Sequence, residues 1–373
     1  MTKESIPVFL SSDNNYVPYM SALMVSIMDN TKSNIDFYIV DAGINEFNKK
    51  QISTLQEKWG FGLEFIDAEP YRHLFKTPAS PSGHITKASS DRFLIPFMKP
   101  NLNKVIILDV DMIALGDIEK LWNIDLEDKI VASAQAFCWT QPKIIEELNK
   151  DVGLSPKHKY FNMGTIIVDC KKWREGNIMD KLSEASSRIN TKKVPWWDEL
   201  AFNMVLQENN YKVLDPKFNM MVPHQVYYKE GKPNTHKKVI EEYLGLSEDY
   251  KINEIIFSHF AMRDVKPWNT RTYYYEPSKK WVDIPNFKEF WSYLKQTPFF
   301  EGEFVTYLDK QNTNKTNTLL VYAILMPQLK LSYLKYYFLS KITFGKMRER
   351  YKNKRKNLKT KLKEIKHFLH SNK

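Results

Sequence analysis

Lys104-Val-Ile-Ile-Leu-Asp-Val-Asp111 is the stretch on which the fold turns. After Lys104 it carries an unbroken apolar run, the pattern of a parallel strand covered by helices on both faces. The strand leads directly into Asp109-Val110-Asp111. Ligands in open α/β sheets bind beyond the carboxyl ends of the strands, so these carboxylates stand where chemistry is expected. On an extended segment Asp109 and Asp111 project to one face and Val110 to the other. Neighbouring carboxylates repel unless a cation joins them, and their oxygens suit a hard ion such as Mg²⁺ or Mn²⁺. An isolated Asp-x-Asp also reads as a solvated acidic turn; the apolar strand before it favours the metal.

Upstream, Ile6-Pro-Val-Phe-Leu10 reads as a buried strand ending in the polar loop Ser11-Ser-Asp13-Asn-Asn15. Tyr19, Leu23, Ile27 and Met28 then recur at helical spacing. Asp36-Phe-Tyr-Ile-Val-Asp41 is a second strand, followed by a helix with Phe47, Ile52 and Leu55 on its apolar face. Gly62-Leu-Glu-Phe-Ile-Asp67 is a third. This alternation predicts an α/β fold with a parallel sheet and helices packed on it. Residues 68–90, rich in Pro, Ser and Gly, read as an active-site loop, and Ser90-Asp-Arg92 opens another helix. Further strands are predicted at 130–134, 164–169 and 254–259.

The last of these ends in Ser258-His259-Phe260, with Lys266-Pro-Trp268 shortly after. A strand-end histidine can complete a metal site, and imidazole beside carboxylates favours Mn²⁺ over Mg²⁺. Lys266 offers a cation to a phosphate or a leaving diphosphate. Taken alone, such a histidine is more often a packed or capped one than a ligand. The other histidines show no metal-ligand spacing.

Only Cys138 and Cys170 are present, unclustered, which suits a reducing cytoplasm. MTKESIPVFLSSDNN offers no apolar run long enough for a signal peptide. The net charge of +11 is localised: residues 330–373 hold 15 Lys/Arg against two acids, leaving 40 basic and 42 acidic residues elsewhere. The stretch 319–344 is apolar and aromatic, but Pro327, Lys330, Lys335 and Lys341 interrupt it, and its longest uncharged apolar part, Leu319–Met326, is too short to span a bilayer. Met347, Tyr351, Leu358, Leu362, Ile365 and Leu369 then form one helical stripe among lysines. The expected organisation is a catalytic domain over 1–300 and an aromatic, basic membrane-association tail over 301–373. That tail would attach to an anionic membrane surface, placing the protein in the cytoplasm on the inner face of the membrane. A solvated or coiled-coil helix is the blander reading. Nucleic acid is not an expected partner, because the body offers no recognition module.

The chain resembles glycosyltransferase family 8, particularly its bacterial lipooligosaccharide galactosyltransferases and lipopolysaccharide glucosyltransferases. The resemblance rests on an ordered series: Ser12-Asp-Asn-Asn-Tyr16, Asp41-Ala-Gly-Ile44, Asp91-Arg-Phe93, Leu108-Asp-Val-Asp111, Tyr160-Phe-Asn-Met-Gly164, Asp198-Glu199 with Asn203, Phe218-Asn219, and Ser258-His259 with Lys266-Pro-Trp268. It implies a GT-A nucleotide-sugar-binding fold with a mixed, mainly parallel sheet. It also implies a UDP-sugar donor whose diphosphate is bridged by Mn²⁺ to Asp109, Asp111 and His259, Mg²⁺ being the alternative. By resemblance Asp13 and Asn15 read uracil and ribose, and Val110 belongs to the donor site. Arg92 contacts the sugar or orients Asp109, Lys266 meets the diphosphate, and Asn162, Asp198 and Glu199 surround the sugar. The implied reaction retains anomeric configuration and moves a hexose, galactose favoured over glucose, to a glycan or glycolipid acceptor.

Three departures are visible. Where the family commonly reads Asp-Gln-Asp, this chain reads Asp198-Glu199-Leu200, which places a second carboxyl among the catalytic candidates. Gln135 stands where many members have Asp, and the segment from His259 to Lys266 lacks the usual glycine. Two other functions compete: a haloacid-type phosphatase, which also opens on strand-Asp-x-Asp, and a catalytically silent, membrane-associated carbohydrate-binding protein.

Overall fold

The structure is a computed structural model that describes residues 4–75, 87–135, 152–155, 158–190, 194, 196–207, 210–230, 254–275, 280–320, 326–342 and 347–359. The middle of the predicted active-site loop, Cys138, and Leu362, Ile365 and Leu369 of the tail stripe lie outside these residues.

Seven strands form the central sheet. β1 (Ile6–Ser12), β2 (Ile35–Asp41), β3 (Gly62–Asp67), β4 (Lys104–Leu108), β6 (Val131–Gln135), β7 (Phe161–Asp169) and β8 (Tyr211–Leu214) lie in the order β3-β2-β1-β4-β7-β6-β8. β5 (Met112–Ala114) stands outside this sheet, paired with β10 (Phe257–His259), which pairs in turn with β9 (Met220–Met221). The helices α1 (Val17–Asn30) and α2 (Glu46–Trp59) make the crossovers between β1, β2 and β3. α2 begins where the Asn45 side chain accepts from Asn48 N, and ends at Gly60, whose φ of 74° suits glycine.

β4 lies between β1 and β7, so both its edges are paired. Its side chains alternate between two cores, Val105 and Ile107 to one and Ile106 and Leu108 to the other. β1 alternates likewise, with Phe9 facing the first core and Val8 and Leu10 the second. Burying an aliphatic side chain contributes roughly 1.5–3 kcal/mol, so two covered faces explain why β4 has no polar interior residue.

β7 runs antiparallel to both β4 and β6, whereas β1, β2, β3 and β4 pair in parallel. The sheet is therefore mixed, and this reversal positions the site. A parallel β7 would put Asp169 beside the end of β4; the antiparallel one puts Asn162-Met-Gly164 there, with Asp109 N donating to Gly164 O at 2.9 Å. The β6–β7 register shifts between Ser133 and Gln135. Ser133 Oγ fills the irregularity by donating to Asn162 O (2.6 Å) and Thr165 O (3.0 Å). Such bulges commonly re-aim a neighbouring side chain.

The predicted strands at 130–134 and 164–169 are β6 and the latter part of β7. Of 254–259 only Phe257–His259 is a strand, and it leaves the central sheet. The helix predicted from Ser90 is a broken one: Lys87–Asp91, a tighter turn at Arg92–Leu94, then Ile95–Met98.

The chain divides into two compact units, Met1–Arg263 with Pro285–Phe300, and Asp264–Ile284 with Glu301–Lys373. The second holds a hairpin, β11 (Thr272–Tyr275) and β12 (Lys280–Asp283), and helices Phe300–Leu320, Met326–Ile342 and 347–359. Lys310 Nζ and Gln311 Nε2 both reach Asn269 (2.8 and 2.9 Å). Tyr336 stacks on Tyr351 with centroids 6.0 Å apart, and Lys354 and Arg355 lie over Tyr336 and Tyr337. None of the described helices is long and apolar enough to cross a membrane.

Candidate active site

Two backbone bonds pin the acidic segment. Asp109 N donates to β7 as described, and Phe260 N donates to Asp111 O at 2.9 Å. The second bond follows from β10 pairing antiparallel with β5, which sets His259 opposite Met112, one residue past Asp111. Asp109, Asp111 and His259 thus converge, each offering a ligand atom within 4.8 Å of the others. His259 Nε2 lies 3.2 Å from Asp111 Oδ1 and 3.6 Å from Asp109 Oδ2. Val110 points away and packs partly against the core, leaving its backbone in the site segment.

The hydrogen-bond pattern fixes which atom of His259 faces the carboxylates. Gly164 N, a donor only, bonds Asn162 Oδ1 at 2.8 Å, so the Asn162 amide nitrogen must point the other way, to Glu199 Oε2 at 2.7 Å. Asn162 Oδ1 also accepts from Asn219 Nδ2 at 2.8 Å, which turns Asn219 Oδ1 towards His259 Nδ1, again at 2.8 Å. His259 Nδ1 therefore carries the proton. Nε2 faces two carboxylates, and this buried nitrogen has no hydrogen-bond partner. With Nδ1 held from behind by Asn219, Nε2 and the two carboxylates form a donor set that fits a divalent metal.

Arg92 couples this centre to Asp198, one of a second pair of carboxyls. Its guanidinium pairs with Asp109 Oδ1 at 2.8 Å, and its Nε donates to Ser89 O at 2.8 Å. Burial works against its charge, but Asp109, Asp198 and Asp111 outweigh that and hold the pKa above the usual value. Asp198 and Glu199 open the helix Trp197–Val205. Burial raises the Asp198 carboxyl, against the pull of Arg92. Burial first, and then the charge of Asp198, push Glu199 up to about 8 despite its bond from Asn162. Asn203, a full turn along, accepts from Phe161 N (2.9 Å) and donates to Phe161 O (2.9 Å) and Glu199 O (2.8 Å). It staples the start of β7 to this helix, which is how Asn162 and Glu199 come to face each other.

Asp13 Oδ1 accepts from Asn15 N (2.9 Å) and Tyr16 N (3.1 Å), shaping the β1–α1 loop, where Asn15 is exposed. Lys266 lies in the second unit, buried, with its ammonium 5.5 Å from the Trp268 ring centroid. Gln135 is buried at the end of β6, opposite Phe161.

Three residues escaped a functional assignment in the sequence. Tyr16 lies close enough to the acidic segment that its hydroxyl is pushed up to about 12, by burial and then by Asp111, Asp13 and Asp109. Gly164 underlies His259, and Asn219 bonds it. Tyr16, Gly164 and Asn219 all fall within the ordered motifs, which was the only available signal.

Comparison with known proteins agrees with this geometry. The family model of glycosyl transferase family 8 matches residues 7–272. General stress protein A of Bacillus subtilis is 29% identical over 77% of this chain and 98% of its own length. The lipopolysaccharide 1,2-glucosyltransferase of Escherichia coli is 24% identical over 80% of each chain. The crystal structure of the galactosyltransferase LgtC with donor and acceptor sugar analogs superposes with a TM-score of 0.61, at 20% identity over 80% of this chain and all of that one. At that identity the likeness carries the fold, which is GT-A. The family match leaves no place for the phosphatase reading of the Asp-x-Asp strand. With the motif series, the mixed sheet and the converging Asp109, Asp111 and His259 in agreement, the chain belongs to glycosyl transferase family 8 and is a glycosyltransferase.

Proposed function

We propose that the chain transfers a hexose, galactose favoured and glucose the alternative, from a UDP-sugar to a glycan on a lipid-linked acceptor such as lipooligosaccharide, with retention of configuration. One observation carries the reading: a buried imidazole nitrogen and two carboxylates converge beyond the carboxyl end of β4, beside a second carboxyl pair. Mn²⁺ is the proposed metal, by the imidazole in the donor set. When bound, it would neutralise charge developing on the departing diphosphate. Arg92 fixes Asp109 for that task. Asn162 orients Glu199, and Glu199 with Asp198 stabilises positive charge developing on the sugar ring. Asp13 and Asn15 are assigned to the nucleoside, Val110 to the donor site, and Lys266 to the diphosphate.

The proposed attachment is peripheral, on the cytoplasmic face of the membrane. The second unit supports it, since Leu331, Leu334 and Phe338 are exposed along the helix Met326–Ile342 amid the basic excess of residues 330–373. An apolar row rimmed by lysines suits an anionic lipid surface.

UDP release over a panel of UDP-sugars, with Mn²⁺ and with chelator, tests the donor reading. Metal-dependent release from one UDP-hexose is expected. No release from any UDP-hexose, with acceptor glycans supplied, would overturn the donor reading.

A further inference from the structure

Asn219 directly precedes β9, after the turn Pro216–Phe218, and is 1% exposed. β9 pairs in parallel with β10, with Met221 opposite His259, so its register brings Asn219 against the imidazole. Both functions of its amide are used. Oδ1 accepts from His259 Nδ1 and Nδ2 donates to Asn162 Oδ1, each at 2.8 Å. The bonds run in one direction, from imidazole to Asn219 to Asn162 to Glu199, anchored by the Gly164 N–H. A reversed Asn219 amide would set Oδ1 against Oδ1 of Asn162, and a reversed His259 tautomer would set a lone pair against Asn219 Oδ1. One buried side chain therefore selects the tautomer that turns Nε2 to the carboxylates, and adds a second donor to the Asn162 carbonyl that Gly164 N–H anchors, the amide nitrogen being left for Glu199.

We propose that Asn219 is a positioning residue that holds the metal-ligand face of His259 and the Asn162–Glu199 pair in one arrangement, so that the metal side and the sugar side of the site are set together. This rests on the metal reading above. A hydrogen-bonded partner behind a ligating histidine typically tunes metal affinity by roughly 10–100-fold.

Two substitutions separate the two bonds. Asn219→Leu removes both. Asn219→Asp keeps an acceptor for His259 Nδ1–H and loses the donor to Asn162. Mn²⁺ binding to the full chain without donor, followed by the loss of the free-ion electron paramagnetic resonance signal, reads the first bond; turnover at saturating Mn²⁺ reads the second. Asn219→Leu is expected to weaken Mn²⁺ binding roughly 10–100-fold. Asn219→Asp is expected to bind Mn²⁺ at least as tightly as wild type while kcat falls. Thermal melts accompany both variants. Wild-type affinity in Asn219→Leu, or equal weakening in both variants in proportion to their loss of Tm, would overturn the proposal. If the wild-type chain itself binds no Mn²⁺, the metal reading fails, and the proposal with it.

Discussion

A methyl group on Gly164 would sit 2.4 Å from Cε1 of His259, 2.6 Å from its Nδ1 and 2.8 Å from Asn162 Oδ1. None of these neighbours can retreat: the imidazole is held by Asn219 and Asn162 by three hydrogen bonds. Gly164→Ala should therefore weaken Mn²⁺ binding by at least tenfold, on the order of other disturbances behind a ligating histidine, measured by metal titration of the folded variant. Glu199 makes a pH-dependent prediction. Its carboxyl is pushed from an ordinary 4.5 up to about 8, so between those values the unfolded chain releases a proton that the folded chain keeps. Stability contributed by the protonated group is complete below pH 4.5 and lost as pH rises through 8. Glu199→Gln should melt several degrees higher than wild type at pH 8.5 and at nearly the same temperature at pH 4.5 or below. Asp198 shifts in the same direction and leaves part of the decline in place. For turnover, an anionic Glu199 requires the rate to rise with pH through about 8, and Glu199→Gln should be slower and lose that rise. Asp109, Asp111 and Glu199 were legible because their chemistry is in their identities and in the motif series. Asn219 and Tyr16 were not, because an amide and a phenol acquire a role only from what packs against them.

At the level of elements, the decisive feature is the direction of β7. An apolar run such as Gly164-Thr-Ile-Ile-Val168 reads the same whether its neighbours run with it or against it. Its reversal comes from pairing with β4, and that reversal delivers Asn162 to the site. The first three strands were legible because helices separated them at regular spacing. β5, β9 and β10 are two or three residues long, too short to show a period, yet they carry Asp111 to His259. Asn203 is the joint between β7 and the helix bearing Glu199. Asn203→Leu would strand the buried Phe161 N–H and carbonyl, each costing about 1–3 kcal/mol, and should lower Tm more than it changes Mn²⁺ affinity.

Across the whole molecule, charge separates as the composition required: a nearly neutral body and a strongly basic end. The helix Met326–Ile342 leaves Leu331 and Phe338 each more than 60% exposed, an arrangement that suits a lipid surface. Residues 264–284 group with this end, which periodicity could not reveal because the link is made by Asn269 with Lys310 and Gln311. Truncation at 300 would remove those partners, so substitution is the cleaner test. Replacing Lys352, Lys354, Arg355 and Lys356 by Gln should reduce flotation with anionic vesicles by an order of magnitude or more, at about 1 kcal/mol per basic residue, and leave zwitterionic vesicles unaffected. Raised salt should mimic the change. Undiminished flotation would remove the tail from membrane attachment.

In the proposed reaction Asp109, Asp111 and His259 hold the metal on which transfer from a UDP-sugar depends. UDP release from the preferred donor, titrated with Mn²⁺ in wild type and in Asp111→Asn, decides whether they do. Wild type should show saturable activation, abolished by chelator, and Asp111→Asn should lose at least a hundredfold, the order expected when a group aimed at developing charge is removed. Equal, metal-independent release by the two proteins would contradict that role.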